Sequence, residues 1–248
     1  MSTAGRFGTV VQAMTAAQVI KELRPLGSES YRRILSNHGI PDTCLGVKVE
    51  HLKRFQKRIK KDYQLALDLF DTGIYDAMYL AGLVADESRM TRKDLKNWVA
   101  KANCDAIRGS AVAWVAAEDP HGWDLALEWI DSKKPAVAMT GWATLGSLVA
   151  VKDDAELDLP ELTHLLQRVQ STIHDQPDPV RSCMNGFVIA VGTYVKPLCD
   201  AAIATAKKIG PVSVDMGNTA CQVPSAVGRI KKAQSRGSVG KKRKTARC

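Results

Sequence analysis

The feature that most constrains this chain is a row of short amphipathic segments between Asp62 and Val195. Leu65, Leu69 and Phe70 fall on one side of the first segment, and Met78, Leu80, Ala81 and Val84 on one side of the next. Apolar residues recur at three and four positions, the period of a helix face. The spacing predicts helices over 62–71, 74–85, 91–102, 105–117, 123–130, 137–151, 159–174 and 180–195. Each is too thin to bury its apolar face alone. Two folded as a hairpin cover half of each other, and stacking hairpin on hairpin covers the rest. The expected fold is therefore all-α: a curved α-α superhelix whose concave face is open to a partner.

The repeat is degenerate. Second helices of the hairpins are expected to begin near Ile74, Asp105, Pro135 and Val180, at unequal spacings. Asp119-Pro120 and Lys134-Pro135 mark breaks, because the residue before proline resists the helical region. Before the row, Thr15 and Ser28 are suited to cap short helices, and 50–61 reads as a basic helix with Leu52, Phe55 and Ile59 buried. Its basic side is either a solvated outer face or the lining of a phosphate groove. Gly82, Gly109, Gly141, Gly146, Gly186 and Gly192 fall inside second helices, where each costs about 1 kcal/mol relative to alanine. Close helix packing is the favoured explanation, and backbone near a ligand the other. After Lys208 the chain turns extended, suited to crossing the end of the solenoid, and Pro224 opens a last helix to about Ser235. The expected division is a mobile N-terminus (1–14), a repeat domain (15–209), a capping loop with a last helix (210–235), and a basic tail (236–248).

Composition adds exclusions. No apolar run approaches the roughly 18 residues that span a bilayer, and 1–14 carries no secretory pattern. The expected location is the cytoplasm, with no membrane partner. The six cysteines form no CxxC pair and have no histidine at ligand spacing, so free thiols are expected and no metal. The net charge of +9 resides entirely beyond Gly228, where nine Lys or Arg stand with no acid. Such a block reads as a solvated, mobile tail that attracts polyanions, nucleic acid above all; a merely solubilising tail is the other reading.

Walker, HExxH, GxSxG and dinucleotide-binding motifs are all missing, so any chemistry must come from side chains gathered on the solenoid surface. The densest region runs from Trp98 to Trp142, with Lys101, Asn103, Asp105, Arg108 and Trp114 between. Asp105 and Arg108, three apart, share a helix face and can pair. For each tryptophan, hydrophobic core competes with stacking on nucleotides.

From Tyr31 to Val195 the chain resembles the DNA alkylation repair family, the AlkD-like DNA glycosylases built from HEAT-like repeats. The match rests on the helix rhythm and on local segments. Gly46–Glu50 resembles the family's loop into a basic helix, and Leu80–Ala85 its following repeat. Asn103–Arg108 falls where the family writes Trp-Trp-Asp-x-x-Asp, and Gly186–Ile189 where it writes Gly-Trp-Val-Leu. The resemblance implies a cofactor-free and metal-free glycosylase that binds duplex DNA and removes N3- or N7-alkylated purines. Its concave face grips the backbone, and a carboxylate stabilises the developing sugar cation. This chain departs at the site: the tryptophan positions hold Asn103 and Cys104, the catalytic aspartate position holds Arg108, and a third tryptophan becomes Phe187. The family's arginine falls near Gly141, beside Trp142. The candidate residues are accordingly Asp105 as replacement stabiliser, with Lys101, Asn103, Arg108, Trp142, Phe187, Lys241, Lys242, Arg243 and Lys244 on DNA. The alternative is a catalytically silent relative that recognises damaged or branched DNA by shape. A protein-binding solenoid is a weaker third.

Overall fold

A computed structural model describes residues 14–217 and 219–248. Its described residues form helices joined by short turns, with no strand beyond one isolated bridge between Gly27 and Val47. The expected mobile segment at the N-terminus lies outside the described residues except for Met14.

Three short helices open the chain: α1 (Ala16–Leu23), α2 (Glu29–Asn37) and the basic α3 (Val49–Ile59). Thr15 caps α1 in a full capping box, and the Ser28 hydroxyl accepts from Tyr31 N, each satisfying a donor that the first turn leaves orphaned. The repeat row follows. Outer helices α4 (Tyr63–Asp71), α6 (Arg92–Lys101), α9 (Gly122–Ile130), α11 (Leu159–Thr172) and α13 (Cys199–Ile209) alternate with an inner row. That inner row is α5 (Tyr75–Val84), α7 (Asp105–Ile107) continued into α8 (Ala113–Glu118), α10 (Pro135–Val151) and α12 (Asp178–Tyr194). Thr91 caps α6 with Asp94 completing the box, as its sequence spacing suggests. Between α7 and α8 the helix widens into a π-turn over Arg108–Val112, a distortion often found at functional sites. The helix α13 is an addition to the row expected from the periodicity.

Consecutive inner helices pack on one another, and the core between the two layers is continuous. One cluster runs from Val19 to Trp129 and the other from Ala117 to Ala246, with Trp114 touching both. Trp98 stacks on Phe70, ring centroids 4.2 Å apart and 6° from parallel. Three of the helix glycines serve close packing. A Cβ on Gly82 would lie 2.5 Å from the Ala111 Cβ, one on Gly141 2.8 Å from the Ala126 carbonyl, and one on Gly192 2.4 Å from Ile230 Cδ1. Gly186 differs, with no atom within 4 Å of its added Cβ.

The last helix, α14 (Ala226–Ser235), starts after Ser225, whose hydroxyl accepts from Gly228 N, and packs Ile230 against α12. The preceding loop crosses the N-terminal half of α12. Arg181 donates to the Ser213 carbonyl (2.7 Å), Asp215 N to Asp178 (2.8 Å) and Asn185 Nδ2 to the Pro224 carbonyl (3.0 Å). Further on, this loop reaches α2 at the other end of the superhelix: Thr219, Ala220 and Cys221 share a cleft with Ile34, Asn37 and His38.

The basic tail is the largest departure from expectation. Residues 240–248 do not hang in solvent. They run as a strap across the C-terminal ends of all the inner helices, in the order α12, α10, α8, α5. Gly240 N donates to the Thr193 carbonyl (2.9 Å), Arg243 N to Ala150 (2.8 Å) and Lys242 Nζ to Val149 (2.9 Å). Thr245 Oγ1 and Ala246 N both donate to Glu118 at 2.6 Å. Arg247 donates to the carbonyls of Gly82 (2.9 Å) and Ala85 (3.0 Å). The cause is general. The last carbonyls of a helix lack partners and carry the negative end of its dipole, so a cationic, donor-rich segment is the chain that satisfies them.

Candidate nucleic-acid interface

The inner face is the least buried stripe of the inner helices, on the side turned away from the outer layer. It carries Tyr75 and Tyr79 on α5, Ser110 and Trp114 across the π-turn and α8, Ala143 and Ser147 on α10, and Ser182 and Gly186 on α12. Tyr79 meets Trp114 edge to face, centroids 5.4 Å apart. Burial pushes the phenols of Tyr75 and Tyr79 well above the usual range, so both stay neutral donors. Trp114 belongs to the dense region that the sequence singles out, though not to the candidate residues drawn from it. The two tyrosines were not among them, although their spacing off the apolar stripe of α5 is a readable signal.

Trp142 and Phe187, expected on DNA, are core residues instead. They are 1% and 0% exposed and pack together at 5.3 Å. Arg168, from outer helix α11, lies over the Trp142 ring, so that ring points between the layers and not into the groove. Large apolar rings at inner-layer positions that face the outer layer are buried by the stacking itself.

The N-terminal edge of the inner helices gathers Lys101, Asn103, Asp105 and Arg108. Asp105 is half exposed and lies 3.1 Å from Arg108 Nη1. Arg108 also donates to the Ala102 carbonyl, and its side chain is largely buried. The guanidinium is thereby pinned between a carboxylate and a helix-end carbonyl. Asn103 Nδ2 donates to the Gly73 carbonyl at 2.8 Å, and Lys101 pairs with Asp71 at 2.9 Å. These two candidates tie adjacent repeats together. Lys96, Arg108, Lys134 and Glu128 stand around an apolar floor of Val99, Trp129 and Val137, in a cleft of about 370 Å³ at the start of α10, where Glu128 pairs with Lys96 at 2.6 Å. A helix N-terminus adds positive potential there.

Burial raises the Cys183 thiol to about 12, with the Asp105 charge adding to it, and burial raises Cys104 as well.

Two groups of exposed cations lie outside the groove centre. Lys53, Arg54 and Lys57 stand exposed on α3, which packs on α5 at one end of the superhelix. Arg229, Lys231 and Lys232 stand exposed on α14, which packs on α12 at the other. On the strap, Lys242 is turned inward and pairs with Asp154 at 2.8 Å, so its charge is spent within the protein. Lys241, Arg243 and Lys244 are exposed.

Comparison with known proteins agrees with this architecture. Two proteins, Lin0241 of Listeria innocua and Lmo0209 of Listeria monocytogenes, are each 31% identical over 228 residues, covering 90% of this chain and 99% of theirs. One solved structure superposes with a TM-score of 0.88 and 32% identity, over 95% of this chain and 100% of its own. It is described as representing a new family related to the HEAT-like repeat DNA glycosylases with affinity for branched DNA structures. The all-α fold expected from the sequence is thus the HEAT-like repeat fold. The family profile described as DNA alkylation repair enzyme matches residues 19–216, and the chain belongs to the DNA alkylation repair enzyme family.

Proposed function

We propose that this protein binds DNA by shape, with a preference for branched over linear duplex, and that it does not excise alkylated purines by its family's carboxylate chemistry. The observation that carries the reading is the state of Arg108. A cation stands where the family resemblance puts the catalytic aspartate, and it is held between Asp105 and the Ala102 carbonyl. The developing sugar cation of glycosidic cleavage needs preorganised negative charge. Here the nearest carboxylate, Asp105, is already neutralised by its neighbour. Loss of one preorganised group typically costs about 10²–10³ in rate, and reversal of its sign costs more. The aromatic positions support the same reading, because Trp142 and Phe187 are sealed in the core.

DNA binding is supported by family membership and by the described affinity of the structural neighbour. It is also supported by exposed cations on α3 and α14 at opposite ends of the superhelix. Charge set at two ends suits a substrate whose arms diverge better than one straight duplex. Between them, the Tyr75–Tyr79–Trp114 surface offers unpaired bases at a branch point something to stack on.

The test is single-turnover release of N7-methylguanine from a methylated duplex with protein in excess. Release at the spontaneous rate, alongside binding in the same tubes, supports the reading. Release well above that rate, abolished by Asp105→Asn, overturns it and makes Asp105 the electrostatic stabiliser.

A further inference from the structure

We infer that the 240–248 strap turns the C-terminal edge of the inner helices into a second phosphate-binding surface, which takes the backbone of a DNA arm leaving the inner face. The inference rests on the DNA-binding reading above and adds where one arm runs.

Without the strap this edge would repel DNA. It presents the last carbonyls of α5, α10 and α12, the negative ends of parallel helix dipoles, and the carboxylates of Glu87, Glu118 and Asp154. The strap offsets most of this negative potential group by group, while Asp153 and Glu156 stay exposed beside it, Glu156 near Lys152 at 3.8 Å. Its backbone and Lys242 satisfy Thr193, Val149 and Ala150. Lys242 neutralises Asp154. Arg247, 7% exposed, lies between Glu87 (2.8 Å) and Glu118 (3.4 Å), with Lys61 completing the balance at Glu87.

What remains faces outward. Lys242 is directed inward while Lys241, Arg243 and Lys244 are exposed. Lys244 stands at the lip of a cleft of about 490 Å³ that it shares with Lys61, Lys152 and Arg247 and with Glu87, Glu118 and Glu156. None of Lys241, Arg243 and Lys244 has a carboxylate partner among the described residues. Lys196 and Arg236, both exposed, extend the row where the strap leaves α14.

The surface is continuous with the inner face. Cys248 Sγ lies 2.7 Å from the Tyr79 hydroxyl, and Tyr79 packs on Trp114. A backbone crossing the aromatic surface thus meets the strap at its Tyr79 end and the exposed cations along its length. Among polyanions, a DNA arm is the occupant that spans both surfaces at once, since binding to each separately needs no such continuity.

The test compares the full-length protein with Lys241→Glu/Lys244→Glu, both exposed positions, in binding to a four-way junction across a salt series. A matched variant, Lys207→Glu/Lys208→Glu, changes the same charge on outer helix α13. The expected result is junction binding weakened about tenfold by the strap variant, a salt slope smaller by about two phosphate contacts, and little change from the α13 variant. Equal weakening by both variants, or no weakening by the strap variant, overturns the strap surface while leaving DNA binding intact. If the unmodified protein binds neither junction nor duplex, the DNA-binding reading itself falls.

Discussion

Arg247 Nε donates to the Gly82 carbonyl at 2.9 Å, across 165 residues of sequence. The same guanidinium reaches the Ala85 carbonyl, Glu87 and Glu118. It is the anchor of the strap, and it closes the last turn of α5 where that helix would otherwise end on bare carbonyls.

Arg247→Ala leaves Glu87 and Glu118 partly buried and short of a partner. Removing one member of a buried ionic group costs about 3 kcal/mol or more. The strap should detach, and trypsin should then cleave after Lys242 and Arg243 far faster than in the unmodified protein. Cleavage at an unchanged rate would show that the other strap contacts suffice. Acid should act the same way. Burial alone would raise the Glu87 carboxyl, but hydrogen bonds from Lys61 and Arg247 outweigh it and hold the value below the usual glutamate range. A depressed value contributes stability that is fully present above about 4.3, the unfolded glutamate pKa. That contribution is lost as pH falls through the lowered folded value, so strap protection should fail only below about pH 4.

Asp76 is fully buried, and its two oxygens accept from Leu45 N (2.5 Å) and Val47 N (2.8 Å). The carboxylate thus fixes the loop that leads into the basic helix α3. Asp76→Asn sets an amide N–H against a backbone N–H and should destabilise by about 2 kcal/mol. Denaturant melts check the stability. Faster hydrogen exchange at Leu45 and Val47 than in the rest of the fold would locate the damage.

The glycines separate packing from openness. Gly82→Ala places a methyl group 2.5 Å from Ala111 Cβ, an overpacking that costs about 1–3 kcal/mol. Gly186→Ala meets nothing within 4 Å and should stabilise by up to about 1 kcal/mol through helix propensity. Thermal melts of the pair should move in opposite directions.

How far the sequence reveals this molecule depends on the range of the contacts involved. Helix positions follow from periodicity and capping, which are local: Thr91 with Asp94, Ser28 and Pro135 mark helix starts where the structure has them. Helix α13 buries mostly small side chains, Cys199, Ala202, Thr205 and Ala206, with Ile209 the one large residue on that face. The strap was illegible. Its basic composition is that of a free tail, and its partners Val149, Glu118 and Gly82 lie 93, 127 or more residues away. The aromatic site was half legible for a similar reason. Trp114 and Trp142 look alike in sequence, and only the layer each faces decides which is open. The Asp105–Arg108 pair, three residues apart, was readable and is present.

The central claim is tested most directly by the affinity for a four-way junction relative to a linear duplex with the same arm sequence, at one fixed salt concentration. The account predicts junction binding tighter by about tenfold or more. Equal affinity for the two, with strength set by length alone, would contradict recognition by shape.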